Sequence, residues 1–177
     1  MLYRSICLLL CLFTFLPLLN ACGAVNNDLS ANEITQSLAE NIEGSASFIT
    51  CSERYLSANF GLKSPFPEHF CIRDADHSLN EIGVFACEGP TEAVALKNSL
   101  NAIFEKRKRE FDDRYFSEEK EKIEAATAVA RGRYVLYTIL TPDLQSLVTE
   151  QFYHILKGNT ISYGTQTWHQ RQTNVDG

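Results

Sequence analysis

The densest group of side chains that could do chemistry lies between residues 69 and 77. His69-Phe70-Cys71 is followed by Asp74-Ala75-Asp76-His77, so thiol, imidazole and carboxylate groups occur within nine residues. A zinc site needs four such ligands, usually as two short-spaced pairs. The second pair is missing unless Cys51 supplies part of it, and no glycine-rich oxyanion turn follows Cys71 to support a thiol nucleophile. We therefore expect no metal site, no cofactor and no catalytic residue; a metal- or thiol-dependent enzyme using the 69–77 loop is the alternative.

The first residues have the parts of an export signal. Arg4 precedes an apolar run from Ile6 to Leu19, and small Ala21 follows it, which is the pattern of a cleavable secretory signal. The run is shorter than the roughly 20 apolar residues of a membrane-spanning helix, and Pro17 interrupts it. Residues 1–21 are therefore predicted to be a signal peptide rather than a permanent anchor.

The cysteine that follows the apolar run gives this signal a more specific interpretation. Leu19-Asn20-Ala21-Cys22 resembles the lipobox of bacterial lipoproteins. The resemblance implies that the Cys22 thiol receives a diacylglyceryl group and that cleavage makes Cys22 the new N-terminus. Two acyl chains are enough for stable anchoring, so we expect a lipid-anchored protein at the extracytoplasmic face of the cell membrane, with residues 22–30 as a tether. The alternative is an ordinary secretory signal with a chance cysteine near its cleavage site.

Three cysteines remain after the signal and Cys22: Cys51, Cys71 and Cys87. In a disulfide-permissive compartment, three thiols imply one bridge and one cysteine left over. Cys51 and Cys71 lie in segments predicted to be irregular and are the preferred pair. Cys87 is on the Phe85 side of a predicted strand, where it is expected to be a small buried hydrophobe. An anaerobic host would instead leave all three reduced.

The charge balance limits the class of partner. The chain has 16 Lys and Arg against 22 Asp and Glu, and loss of Arg4 with the signal changes the net charge from −6 to −7. This balance argues against nucleic acid, whose phosphates require a basic face. The cluster Lys106-Arg107-Lys108-Arg109 has acidic neighbours on both sides and is interpreted as the solvated face of a helix. A patch for an anionic ligand is the alternative. The expected partners are therefore the membrane, through the lipid, and either an envelope protein or a small ligand.

The periodicity of apolar residues predicts a single α+β domain over residues 31–157. Tyr134 and Tyr137 fall on opposite faces of a hairpin strand, so one of them is expected to reach the surface. The order of the elements predicts a small, mainly antiparallel sheet with helices packed on one face, and residues 158–177 are expected to form a loosely ordered tail. The predicted elements are a helix near 34–42, a short strand or turn at 48–51, a helical turn at 54–56, a loop over 59–76, a strand at 81–88, a helix over 90–113, a helical turn at 117–125, a hairpin over 126–140 and a helix over 144–156.

Three stretches resemble one known family. Asn80-Glu81-Ile82-Gly83-Val84-Phe85, the helix that begins at Gly89-Pro90-Thr91, and the hairpin from Ala128 to Leu136 are similar to the DUF4358 domain over roughly residues 30–142. That resemblance implies a small lipoprotein of a kind found mainly in Firmicutes, with no assigned activity. The expected function is therefore that of a membrane-anchored lipoprotein whose domain is a non-catalytic binding or interaction module.

Overall fold

The computed structural model describes residues 25–75, 78–112 and 117–158, apart from the side chain at position 118. The predicted signal peptide, Cys22, Asp76, His77 and residues 159–177 of the predicted tail lie outside the described residues. In the described ranges, five α-helices and five strands follow one another, with short 3₁₀ turns at Ser45–Ser47 and Ser117–Glu119. In chain order they are α1 (Ala31–Ala39), β1 (Ile49–Thr50), α2 (Glu53–Phe60), β2 (Glu68–Arg73), β3 (Glu81–Ala86), α3 (Pro90–Glu110), α4 (Lys120–Ala125), β4 (Thr127–Arg131), β5 (Tyr134–Ile139) and α5 (Pro142–Leu156).

The five strands form one sheet in the order β1-β2-β3-β5-β4. Every neighbouring pair is antiparallel, so the prediction of an α+β fold with an antiparallel sheet is confirmed. β3 and β5 are its central strands, and all six residues of each are buried. Tyr134 and Tyr137 are both fully buried, so the expectation that one of them reaches the surface is wrong.

The helices cover both faces of the sheet rather than the single face that was predicted. Residues of β3 alternate between the two faces, with Ile82 and Val84 toward α1 and α5 and Phe85 toward α2 and α3. A strand that is apolar on both sides leaves a hydrophobic surface in water unless each face is covered. The physical reason for the second helical layer is therefore the buried character of β3 and β5 themselves.

Local signals account for where several elements begin. Ser30 caps α1 in a capping box with Glu33, and the Ser52 side chain caps α2. Pro90 lies in the first turn of α3, where the missing N–H of proline leaves no intrahelical hydrogen bond unmade. These are the start signals expected from sequence.

The segment predicted to be a loop over residues 59–76 contains β2, which pairs with β3 over six residues. Pro65 and Pro67 precede it, and Glu68, His69 and Arg73 lower its apolar content, so the local pattern resembles a loop. Pairing with β3 supplies the hydrogen bonds that stabilise this strand, and that contact is not local in sequence. Within the described part of the chain, no helix has the length and apolar character needed to cross a membrane.

Candidate functional site

A pocket of about 450 Å³ opens at one end of the sheet, beside Glu81. The start of β3 and the ends of β2 and β5 meet at this end, since Glu81 pairs with both Arg73 and Ile139. Helix α2 adds Tyr55 to the wall and helix α3 adds Arg107. We refer to this space as the Glu81 pocket.

Glu81 is the central polar group of the site, with only 3% of its surface exposed. The Tyr55 hydroxyl donates to Oε2 at 2.7 Å, and the Tyr137 hydroxyl donates to Oε1 at 2.6 Å. Burial raises the pKa of the Glu81 carboxyl because a charge is poorly solvated in the protein interior, and the hydrogen bonds from Tyr137 and Tyr55 act in the opposite direction. The carboxyl is thus part of a buried hydrogen-bonded cluster.

Tyr137 and Glu81 can pack together because Gly83 has no side chain. Gly83 pairs directly with Tyr137 on β5, and a Cβ there would overlap the Tyr137 ring and lie 2.5 Å from Sγ of Cys71. Glu81 lies two residues earlier and so on the same face of β3. The Tyr137 ring therefore lies over the glycine, and its hydroxyl reaches the glutamate.

Two of the three described cysteines adjoin the same cluster. The Cys51 N–H donates to the Cys71 carbonyl at 2.8 Å, and the register of β1 and β2 continues from Thr50 and Ile72 to place the two cysteines opposite each other. Cys51 Sγ lies 3.9 Å from Oε1 of Glu81. Both cysteines are free thiols in the structure, as is Cys87, so the predicted bridge stays a prediction for which the residues are suitably placed.

Burial makes these thiols poor nucleophiles. Desolvation, with a smaller contribution from the charge of Glu81, raises the pKa of Cys51 to about 12. The pKa of Cys71 is also raised well above its ordinary value, mainly by burial. Cys87 is fully buried on the Phe85 side, as expected, and burial raises its pKa to about 11. Because the thiolate is the reactive form, none of the three resembles an activated cysteine.

The residues predicted around positions 69–77 do not converge within the described part of the chain. His69 lies on β2 with Nδ1 2.8 Å from the Pro67 carbonyl, and its ring packs near Phe66 and Phe85. Cys71 is buried in the core, opposite Gly83 on the neighbouring strand. Asp76 and His77 fall outside the described residues. Across residues 25–75, 78–112 and 117–158, no three His, Cys, Asp or Glu side chains are grouped so as to hold a metal.

Two arginines lie on the pocket wall, and Arg73 was not singled out from sequence. The guanidinium of Arg73 lies 5.0 Å from the centroid of the Tyr55 ring, and that of Arg107 lies 4.6 Å from the centroid of the Phe60 ring. Arg107 belongs to the basic cluster interpreted as a solvated helix face. That interpretation suits Lys106 and Lys108, which pair with glutamates on α3, but Arg107 turns toward α2 instead.

A search of curated proteins and a search of solved structures each returned no match. A family profile described as a domain of unknown function, DUF4358, matches residues 50–140. The match begins later than the residue 30 expected from the resemblance, and it includes the strands and the helices α2 and α3 that form the Glu81 pocket. Because this match covers more than half of the sequence, the chain belongs to the DUF4358 family.

Proposed function

We propose that this chain is a lipoprotein anchored to the extracytoplasmic face of the cell membrane by a lipid on Cys22, and that its domain is a non-catalytic module that binds a small ligand. The Glu81 pocket is the observation that carries the binding role. Its volume of about 450 Å³ is within the roughly 300–1,000 Å³ of small-molecule sites. Most of its lining surface is apolar, as is usual for such sites, although nine of its fourteen lining residues are polar or charged.

The state of the reactive groups favours binding over catalysis. Both oxygens of Glu81 accept hydrogen bonds from tyrosines, and only 3% of the residue is exposed, so little of the carboxyl is open to the pocket. The thiol of Cys71 is fully buried. No observation in the described residues favours the alternative of a metal- or thiol-dependent enzyme at residues 69–77.

A small ligand suits the surface better than a large protein partner. Among the described residues, the large apolar side chains with substantial exposure are Ile49, Leu79 and Val94. They belong to three different segments: β1, the loop before β3 and the start of α3. Protein interfaces usually have a contiguous apolar centre, and three exposed apolar side chains offer little surface for one, so we favour the small ligand over the envelope protein.

The anchor is tested by membrane fractionation and intact mass. The full chain is produced in a bacterial host that lipidates exported proteins, and the membrane fraction is extracted with detergent. We expect a diacylglyceryl-modified protein whose sequence starts at Cys22, and we expect Cys22→Ser to remove the modification. Cys11→Ser is the matched control, because that cysteine lies inside the predicted signal and its loss leaves the lipobox intact. An unmodified protein in the wild type would contradict the proposal.

A further inference from the structure

The two arginines of the Glu81 pocket are held in place by aromatic rings and backbone carbonyls. Arg73 lies over Tyr55, and its Nη1 donates to the Asp74 carbonyl at 3.1 Å. Arg107 lies over Phe60, and its Nη2 donates to the Asn59 carbonyl at 2.6 Å. A guanidinium has five N–H donors, so each arginine keeps donors for a further acceptor. Stacking and one fixed hydrogen bond reduce the entropy that such a group loses on binding.

Glu81 and Glu110, two of the carboxylates around the pocket, do not neutralise these arginines by direct pairing. Within the described residues, neither Arg73 nor Arg107 forms an ion pair. Glu81 is held by its two tyrosines, and Glu110 pairs with Lys106 at 3.9 Å. Asp74 and Asp112 also line the pocket, and neither is free of partners.

We propose that the Glu81 pocket binds a small soluble molecule with a carboxylate or phosphate on an apolar body, the anionic group being held by Arg73 and Arg107. This inference rests on the proposed binding role of the pocket. Planar guanidinium groups match the oxygens of both anions in paired hydrogen bonds. Leu79, Phe111 and Ile139 supply apolar wall for the rest of the ligand.

The test compares benzoate with benzamide, which have nearly the same shape and differ in charge. Binding to the detergent-solubilised full chain is measured by titration calorimetry, with inorganic phosphate as a third probe. We expect benzoate to bind about tenfold or more tightly than benzamide, as expected for charge-assisted hydrogen bonds to guanidinium. Stronger binding of phosphate than of benzoate would assign the site to phosphate, and the reverse order would assign it to carboxylate.

Variants separate this inference from the proposed function. Arg73→Gln and Arg107→Gln are each expected to weaken benzoate binding by about tenfold or more, and Arg54→Gln, an exposed arginine of α2, should leave it unchanged. If a glutamine variant fails to fold, the lysine variant at that position keeps the charge, loses the paired geometry and should weaken binding in part. Benzoate and benzamide could instead bind equally, and Leu79→Trp in the pocket wall could abolish the binding of both. That result would overturn the anion assignment and keep the small-ligand role. Absence of binding by all three probes would overturn both.

Discussion

The surroundings of Glu81 change the pKa of its carboxyl and with it the pH dependence of folding. Burial raises the pKa of this carboxyl in the folded protein, so the native state holds its proton to higher pH than the unfolded chain does. The contribution of this proton to the free energy of unfolding is fully present below the unfolded pKa of about 4.5. It is lost as the pH rises from there through the higher folded pKa. Glu81 therefore makes the fold sensitive to pH on the alkaline side of the unfolded pKa.

Replacing Glu81 with glutamine tests this linkage. The amide stays neutral, so we expect Glu81→Gln to gain stability relative to the wild type as pH rises above 4.5. The gain is about 1.4 kcal/mol for each pH unit until the folded pKa is reached. Urea unfolding of the detergent-solubilised chain at several pH values measures it, with the exposed Glu43→Gln as control. A constant difference between wild type and Glu81→Gln across this range would contradict a raised pKa.

Gly83 supports a second prediction at the residue scale. A Cβ at this position would overlap the Tyr137 ring and crowd Sγ of Cys71. Both neighbours are fully buried, so neither can move aside without cost. We expect Gly83→Ala to lower the free energy of unfolding by about 1–3 kcal/mol. Gly89→Ala is the control, because no atom lies within 4 Å of a Cβ there, and an equal loss in the two variants in urea unfolding would refute the packing argument.

The candidate site could be predicted from the sequence only in part. Cys51 and Cys71, which the sequence suggested as a possible disulfide pair, lie opposite each other across β1 and β2, and the bridge itself stays a prediction. Glu81 at the start of an apolar strand resembles a solvated strand end, and the tyrosines that bury it lie 26 and 56 residues away. Arg107 sits within a charged run, and only its contact with α2 distinguishes it from its neighbours. Contacts between distant segments, which local patterns do not encode, define the pocket.

At the scale of elements, strongly periodic segments were predicted well and β2 was not. The alternation of β3 and the turn at Gly132 are signals inside one short segment. β2 follows two prolines and exposes Glu68, so its strand character comes from pairing with β3. The nearly continuous apolar runs of β3 and β5 are typical of strands that are covered on both faces. That interpretation would have predicted helices on both sides of the sheet.

The pairing of β1 with β2 supports the predicted disulfide. Directly opposite residues that are hydrogen-bonded across antiparallel strands have Cα atoms about 5.5 Å apart, which is inside the range that a disulfide bridges. We expect the protein from an oxidising envelope to contain a Cys51–Cys71 bridge and a free Cys87. Alkylation of the denatured protein without reductant, followed by peptide mapping, measures this. Labelling of all three thiols would contradict it.

The same bridge predicts a change in stability. Closing a loop of about 20 residues stabilises the fold by about 3 kcal/mol in the chain-entropy description. We expect reductant to lower the free energy of unfolding of the wild type by about this amount and to leave Cys71→Ala unaffected. Cys87→Ala is the matched control, because it removes a buried thiol from the core and should keep the full response to reductant. A wild type that does not respond would show that the bridge is absent.

At the scale of the whole molecule, the first described residues lie at the end of the sheet opposite the Glu81 pocket. Val25 packs against Gly132 in the turn between β4 and β5, and the Asn26 N–H donates to the Leu156 carbonyl at 2.7 Å. β5 runs from this turn to Ile139 at the pocket, about 17 Å at the usual rise per residue. α5 then returns from the pocket end to Leu156. The path of the chain thus separates the first described residues from the pocket.

This separation predicts how an anchored protein is oriented. Cys22 precedes Val25 by three residues, which span at most about 11 Å. A lipid on Cys22 would therefore hold the turn at Gly132 close to the membrane and leave the pocket open to the aqueous side.

A fluorophore at Lys157→Cys, beside the predicted tether, should be quenched more strongly by nitroxide-labelled lipid headgroups than one at Leu79→Cys in the pocket wall. Both positions are exposed, and the described native thiols are buried, so labelling is selective. Replacing Cys22 with serine in each labelled protein should abolish the lipid-dependent difference. Stronger quenching at position 79 would mean that the pocket faces the membrane, and its ligand would then be sought among lipids rather than soluble molecules.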